Sequence, residues 1–166
     1  MEKLNYDTYC REVLERLTKG GIFLSSGKEK PNSMTIGWGS IGYYWGKPVF
    51  IVPVRKSRYT HGLIEECGEF TVSIPFDGMK EALAFCGSNS GRDVDKYKAL
   101  NLTPVLGQAV QVPIIGECDL HFECRVIYKQ DMDGTMLLPE LQNRWYRDHD
   151  YHTMYYGEIL ACYKTK

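Results

Sequence analysis

A chain of 166 residues, 43% hydrophobic and 25% charged, has the make-up of a folded unit with its own core, and its length suits one domain over 1–166. A formal net charge of −1 speaks against a nucleic-acid binder, which carries a basic excess, and no apolar run reaches bilayer-spanning length. No signal-peptide pattern opens the chain and the six cysteines form no Cys-x-x-Cys pair, so the expected setting is a reducing cytoplasm with the cysteines as small buried hydrophobes.

The first element is a helix over 5–19, where Tyr6, Cys10, Val13, Leu14 and Leu17 form one apolar stripe that Gly20-Gly21 stops. A short strand follows over 21–26, then a polar turn from Gly27 to Pro31. Two β-like runs fill the stretch from Asn32 and meet at a Gly46-Lys47-Pro48 turn, which predicts a β-meander rather than βαβ units. After the loop Arg55-Lys56-Ser57-Arg58-Tyr59-Thr60 comes a short helix, His61 to Glu66. Glu69 to Ile74 predicts a strand with Phe70, Val72 and Ile74 on one face, ended by Pro75. A helix over Met79–Cys86, a small-residue loop over Gly87–Asp93 and a helix over Val94–Leu100 with Asp93 as N-cap come next. Residues 101–116, with Pro104 and Pro113, predict connections and edge strands. Cys118 to Tyr128 alternates apolar and polar residues as a half-buried antiparallel strand does. Residues 130–150 predict an irregular polar excursion that contains Trp145-Tyr146. Tyr151 to Tyr163 reads as a last strand broken by Gly157. Many short strands with few helices make the chain mainly β, as a small barrel whose closure removes exposed edges.

Two segments carry chemistry. The loop from Arg55 to Thr60 puts arginines and hydroxyls beside a helix start, where unpaired N–H groups and the helix dipole favour an anion. Upstream, Gly37, Gly39 and Gly42 surround Trp38, and glycines in a strand mark a bulge or the close approach of another group. The residues alone leave two readings open: a flat ring lying on that run with its phosphate at the loop, or a hairpin with a solvated basic turn. The loop over 87–93 is equally open between an anion clasp and a capped surface turn. Asp148-His149-Asp150-Tyr151-His152 has metal-ligand types, but in an extended segment residues three apart face opposite sides, and no metal is expected there. His152 alone is a candidate to line a cleft. No Gly-x-Ser-x-Gly elbow, Gly-x-Gly-x-x-Gly fingerprint or P-loop is present.

Asn32-Ser33-Met34-Thr35-Ile36-Gly37-Trp38, the Gly46-Lys47-Pro48 turn, Arg55 to Thr60, Ser90-Gly91-Arg92-Asp93-Val94-Asp95-Lys96, and the strands at Cys124–Tyr128 and His152–Ile159 resemble, in that order, the flavin reductase-like FMN-binding split-barrel proteins, flavoredoxin branch. The resemblance implies a Greek-key split barrel, a homodimer, and bound FMN. It implies the phosphate at Arg55, Ser57, Arg58, Tyr59 and Thr60. The ring is implied along Asn32 to Ser40, near Asn32, Met34, Thr35 and Trp38, with Ser90, Arg92 and Lys96 supplied by the second loop. His152 is the substrate-side candidate. No side-chain nucleophile is needed, because the flavin carries the chemistry. The activity it implies is NAD(P)H-dependent reduction of flavin or another small acceptor, with a nicotinamide nucleotide as partner. The alternative is a flavoredoxin-type electron carrier reduced by a protein partner. Two further rivals are a barrel that has lost its flavin and a haem-binding barrel, for which His121, His149 or His152 would be the axial ligand.

Overall fold

The computed structural model describes residues 2–165. Along the chain run β1 (Glu2–Lys3), α1 (Cys10–Thr18), β2 (Ile22–Ser26), β3 (Asn32–Ile36), β4 (Ser40–Tyr44), β5 (Lys47–Arg55), α2 (Tyr59–Cys67), β6 (Glu69–Ile74), α3 (Lys80–Ser88) and α4 (Lys96–Leu100). Then follow β7 (Pro104–Val105), β8 (Ile114–Ile115), β9 (Leu120–Asp131), a 3-10 turn over Gly134–Met136, α5 (Pro139–Trp145) and β10 (His152–Lys164). Among the described residues no helix is long and apolar enough to cross a membrane.

Every strand pair is antiparallel, and the main sheet runs β3-β2-β6-β9-β10-β5-β4, with β1 beside β10. Strands β3 and β4 sit at opposite ends of that path, yet only Gly37-Trp38-Gly39 separate them in the chain. Laid flat, strands about 4.8 Å apart would part the two ends by roughly 29 Å. The four chain steps from Ile36 to Ser40 reach about 14 Å at most. The sheet therefore rolls until its ends approach, giving a mainly β, partly open barrel.

The barrel fills with alternate residues of its strands: Ile22 and Leu24, Phe50, Val52 and Val54, Phe70, Val72 and Ile74, and Leu120, Phe122 and Cys124. Phe50 meets Phe122 edge-on at 5.3 Å between ring centres. Outside the barrel, Phe23 on the other face of β2 joins Leu83 and Cys86 of α3, Tyr97 of α4, Leu102, Ile115 and Cys118 in a second cluster. That cluster fastens α3 and α4 against β2.

Several expectations shift. The first helix is shorter than 5–19, and only Val13 and Leu17 of its apolar stripe are fully buried; Leu14 is 53% exposed, because one turn of contact with the barrel covers a narrow strip. The run after Asn32 is two strands, divided at Gly37–Gly39, and the turn before β5 is Trp45-Gly46. Helix α2 begins at Tyr59, two residues before the expected His61. Asp95, not Asp93, caps α4, its side chain accepting from the Lys98 N–H at 3.1 Å. β9 is buried on both faces over Leu120–Cys124, because residues 101–116 cover its outer side. There the Glu123 carboxylate accepts from the N–H groups of Gln108 at 2.7 Å, Ala109 at 2.6 Å and Val110 at 2.9 Å, and from the Tyr163 hydroxyl at 2.6 Å. The excursion over 130–150 holds a helix, α5, with Pro139 in its first turn. β10 runs on through Gly157 with a register shift; a Cβ there would lie 2.4 Å from Phe70 Cζ and 2.8 Å from Cys124 Cβ, so the close approach requires glycine.

Candidate functional site

A groove forms where the edge strand β3 meets the start of α2 and the loop between α3 and α4. Among the described residues β3 pairs with β2 alone in the sheet, so its other edge carries backbone groups without a strand partner there. Arg58 is the N-cap of α2, and among the described residues no side chain caps the helix there. The first N–H groups of α2 and the positive end of its dipole are thus available to a ligand. Asn32 ties the strand to the helix: its amide donates to Thr60 Oγ1 at 2.9 Å.

The second loop closes the groove from above. At Gly91 a Cβ would fall 2.2 Å from Asn32 Oδ1 and 2.6 Å from Tyr59 Cδ1, so only glycine lets the loop approach so closely. Arg92 crosses to the first loop, donating to the Ser57 carbonyl at 3.0 Å with its guanidinium 5.5 Å above the Tyr59 ring. Lys96, only 3% exposed, donates to the carbonyls of Ser33 at 2.9 Å and Cys86 at 2.8 Å. Burial lowers its pKa, and Arg58 adds to that. Two carbonyls leave one of the three ammonium donors for another acceptor.

The cavity so enclosed measures about 250 Å³, and its wall includes Asn32, Met34, Thr35, Ser57, Arg58, Tyr59, Thr60, Ser90, Arg92 and Lys96. Three of its side chains are cationic and none is a carboxylate. Whereas Arg55 and Lys56 are paired with Asp148 and Asp131, Arg58 has no ion pair or side-chain hydrogen bond among the described residues. A cationic wall, an uncapped helix start and an unpaired guanidinium suit a compact dianion.

Met34, Thr35 and Arg58 also line a second cavity of about 250 Å³, with Ile36, Gly37, Trp38, Pro53, Arg55, Trp145 and His152. The two cavities make one groove along β3. Trp38 meets the Trp145 ring edge-on at 5.1 Å and the His152 ring at 5.2 Å. Burial, then Arg55, pushes the His152 pKa down to about 4, so the ring is neutral near pH 7.

Ten of the fourteen residues singled out in the sequence thus share the first cavity, while Arg55, Trp38 and His152 lie in the second. Arg55 points away from the cationic cavity: it donates to the Trp145 carbonyl at 2.6 Å and the Asp150 carbonyl at 2.9 Å, pairs with Asp148 at 3.4 Å, and covers the Tyr146 ring at 5.0 Å. Ser57 lines the cavity, yet its hydroxyl donates to Asp150 Oδ2 at 2.5 Å. Ser40 is exposed on β4, in an adjoining depression with Gly39 and Met154 that shares Trp38 and Pro53 with the second cavity. Sequence reasoning left out Trp145, Tyr146 and Asp150, which shape the second cavity from 130–150; the signals were the Trp-Tyr pair and the Pro139-Glu140 helix start.

A family model described as "Flavin reductase like domain" matches residues 14–165. An uncharacterised protein of Archaeoglobus fulgidus is 36% identical over 135 residues, 81% of this chain; the chain spans 66% of that relative's length. The solved flavoredoxin of Desulfovibrio vulgaris (Miyazaki F) is 28% identical with a TM-score of 0.70, over 88% of this chain and 69% of that one. An FMN-binding protein of Thermus thermophilus, solved with 1-cyclohex-2-enone bound, is 26% identical with a TM-score of 0.66, over 86% of this chain and 68% of that one.

Proposed function

The chain belongs to the flavin reductase-like domain family, and we propose that it binds FMN in the groove along β3 and works as an electron carrier of the flavoredoxin type. The observation that carries this is the first cavity: three cations, no carboxylate and an uncapped helix start, in a chain whose net charge is −1. These residues fit the cofactor. Arg58, the N–H groups at the start of α2, Thr60, Ser90 and Arg92 would hold the phosphate. Met34, Thr35, Trp38 and the free edge of β3 would hold the ring. When bound, FMN supplies the capacity to take up and release electrons singly or in pairs.

The rest of the chain positions and shields. Gly91 lets the second loop close on Asn32 and Tyr59, narrowing the way for water. Lys96, fastened by two carbonyls, keeps a donor and a positive charge beside β3, where they favour negative charge on a bound ring. Trp38, Trp145 and His152 wall the far end of the groove, where electrons would enter and leave.

An NAD(P)H-dependent reductase, the leading expectation from the sequence, would use the same groove and differ in what delivers the electrons. Support for the carrier comes from the 28% identity to a flavoredoxin. We also propose a single domain over 1–166 in a cytoplasmic homodimer, with the six free cysteines suited to a reducing setting. The subunit contact we propose is the exposed aromatic group of Tyr44, Trp45 and Tyr128 around Tyr156, whose rings lie 5.1–5.9 Å apart.

The test is visible absorbance of protein incubated with FMN, desalted, and mixed without oxygen with NADH, NADPH or a reduced ferredoxin. A carrier stays yellow with either nicotinamide and bleaches rapidly with the protein donor. Rapid bleaching by NADH or NADPH makes it a reductase, and colourless protein refutes both.

A further inference from the structure

His152 opens β10 and is 8% exposed at the far end of the groove. Its Nδ1 lies 2.7 Å from the Tyr146 hydroxyl, which also lies 3.4 Å from Met132 Sδ. A hydroxyl has one proton to give, and an imidazole nitrogen at that distance is a much stronger acceptor than a thioether farther away. The stronger acceptor favours Tyr146 donating to Nδ1, which would leave the ring proton on Nε2. Among the described residues Nε2 has no hydrogen-bond partner, although His152 lines the cavity with Met34, Trp38 and Arg58. Tyr146 is itself held in place: it is buried, the Arg55 guanidinium lies 5.0 Å over one face, and the Tyr151 ring stacks on it at 5.3 Å. Burial and Arg55 keep the imidazole uncharged near neutral pH.

We propose that Tyr146 is a positioning residue that fixes His152 in its Nε2–H form, so that this N–H meets a carbonyl oxygen on a flat ring bound against Trp38. The other tautomer would turn a bare acceptor nitrogen toward the cleft; a tyrosine that donates to Nδ1 removes that choice before any ligand arrives. Two sources offer such an oxygen: a carbonyl of the flavin ring, or a separate carbonyl compound that shares the cleft. The first source rests on the FMN reading, whereas the tautomer does not.

Nitrogen NMR of protein with ¹⁵N-labelled histidine, at pH 7, reads the proposal directly. In the cofactor-free protein the His152 signals should show a protonated Nε2 and a bare Nδ1. Tyr146→Phe, which keeps the ring and its packing, should convert them to averaged tautomer shifts while the fold, followed by amide spectra, stays intact. Adding FMN identifies the first source if the Nε2–H signal moves. Benzaldehyde, added to FMN-loaded and to cofactor-free protein, identifies the second. Where benzaldehyde moves the signal, Tyr146→Phe should weaken its binding by about fivefold, the worth of one hydrogen bond. A proton on Nδ1 in the parent protein, shifts unchanged by Tyr146→Phe, or an Nε2–H signal unmoved by both probes overturns the proposal. Protein that ignores FMN yet shifts with benzaldehyde upholds it and removes the flavin reading instead.

Discussion

Two arginines three residues apart in the same basic loop are predicted to do different work. Arg58 lines both cavities and has no ion pair or side-chain hydrogen bond among the described residues, so replacing it with alanine leaves no protein group stranded. Its cost to folding should be within about 0.5 kcal/mol, as for other surface changes. Its cost to phosphate binding should be that of a charge-assisted hydrogen bond, about 1.5–3 kcal/mol, or roughly 10- to 150-fold in Kd. Riboflavin, which lacks the phosphate, should lose almost nothing. Arg55→Ala should behave the opposite way. It strips the Trp145 and Asp150 carbonyls of their donor and uncovers the Tyr146 ring, so we expect about 1–3 kcal/mol off stability. FMN and riboflavin should be affected alike. Flavin fluorescence titrations with both ligands, beside urea unfolding of both variants, make the comparison. Equal losses of FMN and riboflavin in Arg58→Ala, or a larger phosphate-specific loss in Arg55→Ala, would refute the assignment of the phosphate to the α2 start.

Gly91→Ala should push the second loop off Asn32 and Tyr59, since its Cβ would lie 2.2 Å from Asn32 Oδ1; we expect a loss of about 1–3 kcal/mol in urea unfolding, with weaker FMN binding. Glu123→Gln should remove about 1–3 kcal/mol of stability, because an amide nitrogen would face the N–H donors of 108–110, and calorimetry should show a lower Tm without loss of flavin affinity. His152 has a folded pKa depressed to about 4 against an ordinary 6.5, so the unfolded chain binds its proton first as pH falls. Its contribution is therefore constant above about pH 6.5, turns against folding between 6.5 and 4, and levels off below. His152→Gln should flatten the stability curve in that window, and parallel curves for variant and parent would contradict the burial of a neutral ring.

The parts of the fold that follow from local rules were legible in the sequence. Phe70, Val72 and Ile74 alternate because one face of β6 is the barrel interior, and all three are fully buried. The basic, hydroxyl-rich loop from Arg55 to Thr60 pointed to a helix start beside it, expected at His61, and the groove forms where α2 begins two residues earlier at Tyr59. What escaped depends on contacts between distant segments. Arg55 and Arg58 look equivalent in the loop, and only the return of 145–150, some ninety residues later, draws Arg55 away. His121 and Glu123 occupy the polar positions of an alternating strand, which ordinarily face water. Here Ser73, Cys118 and Thr165 enclose His121, while residues 108–110 fold over Glu123 and three backbone N–H groups replace its solvent. Ser40 reads as a continuation of the run from Asn32. The three-residue link that closes the barrel carries it onto β4, into a depression that adjoins the groove at Trp38 and Pro53 instead of opening into its cationic cavity. α5 is seven residues long, too short for a periodic signal to rise above the polar stretch around it.

The most direct measurement is a crystal structure of the protein soaked in FMN. The account predicts the phosphate oxygens within about 3 Å of the Arg58 guanidinium and of the first N–H groups of α2, with the ring along β3 toward Trp38. A phosphate held instead by Arg55 after displacing Asp150, or density for FMN outside the groove, would contradict it.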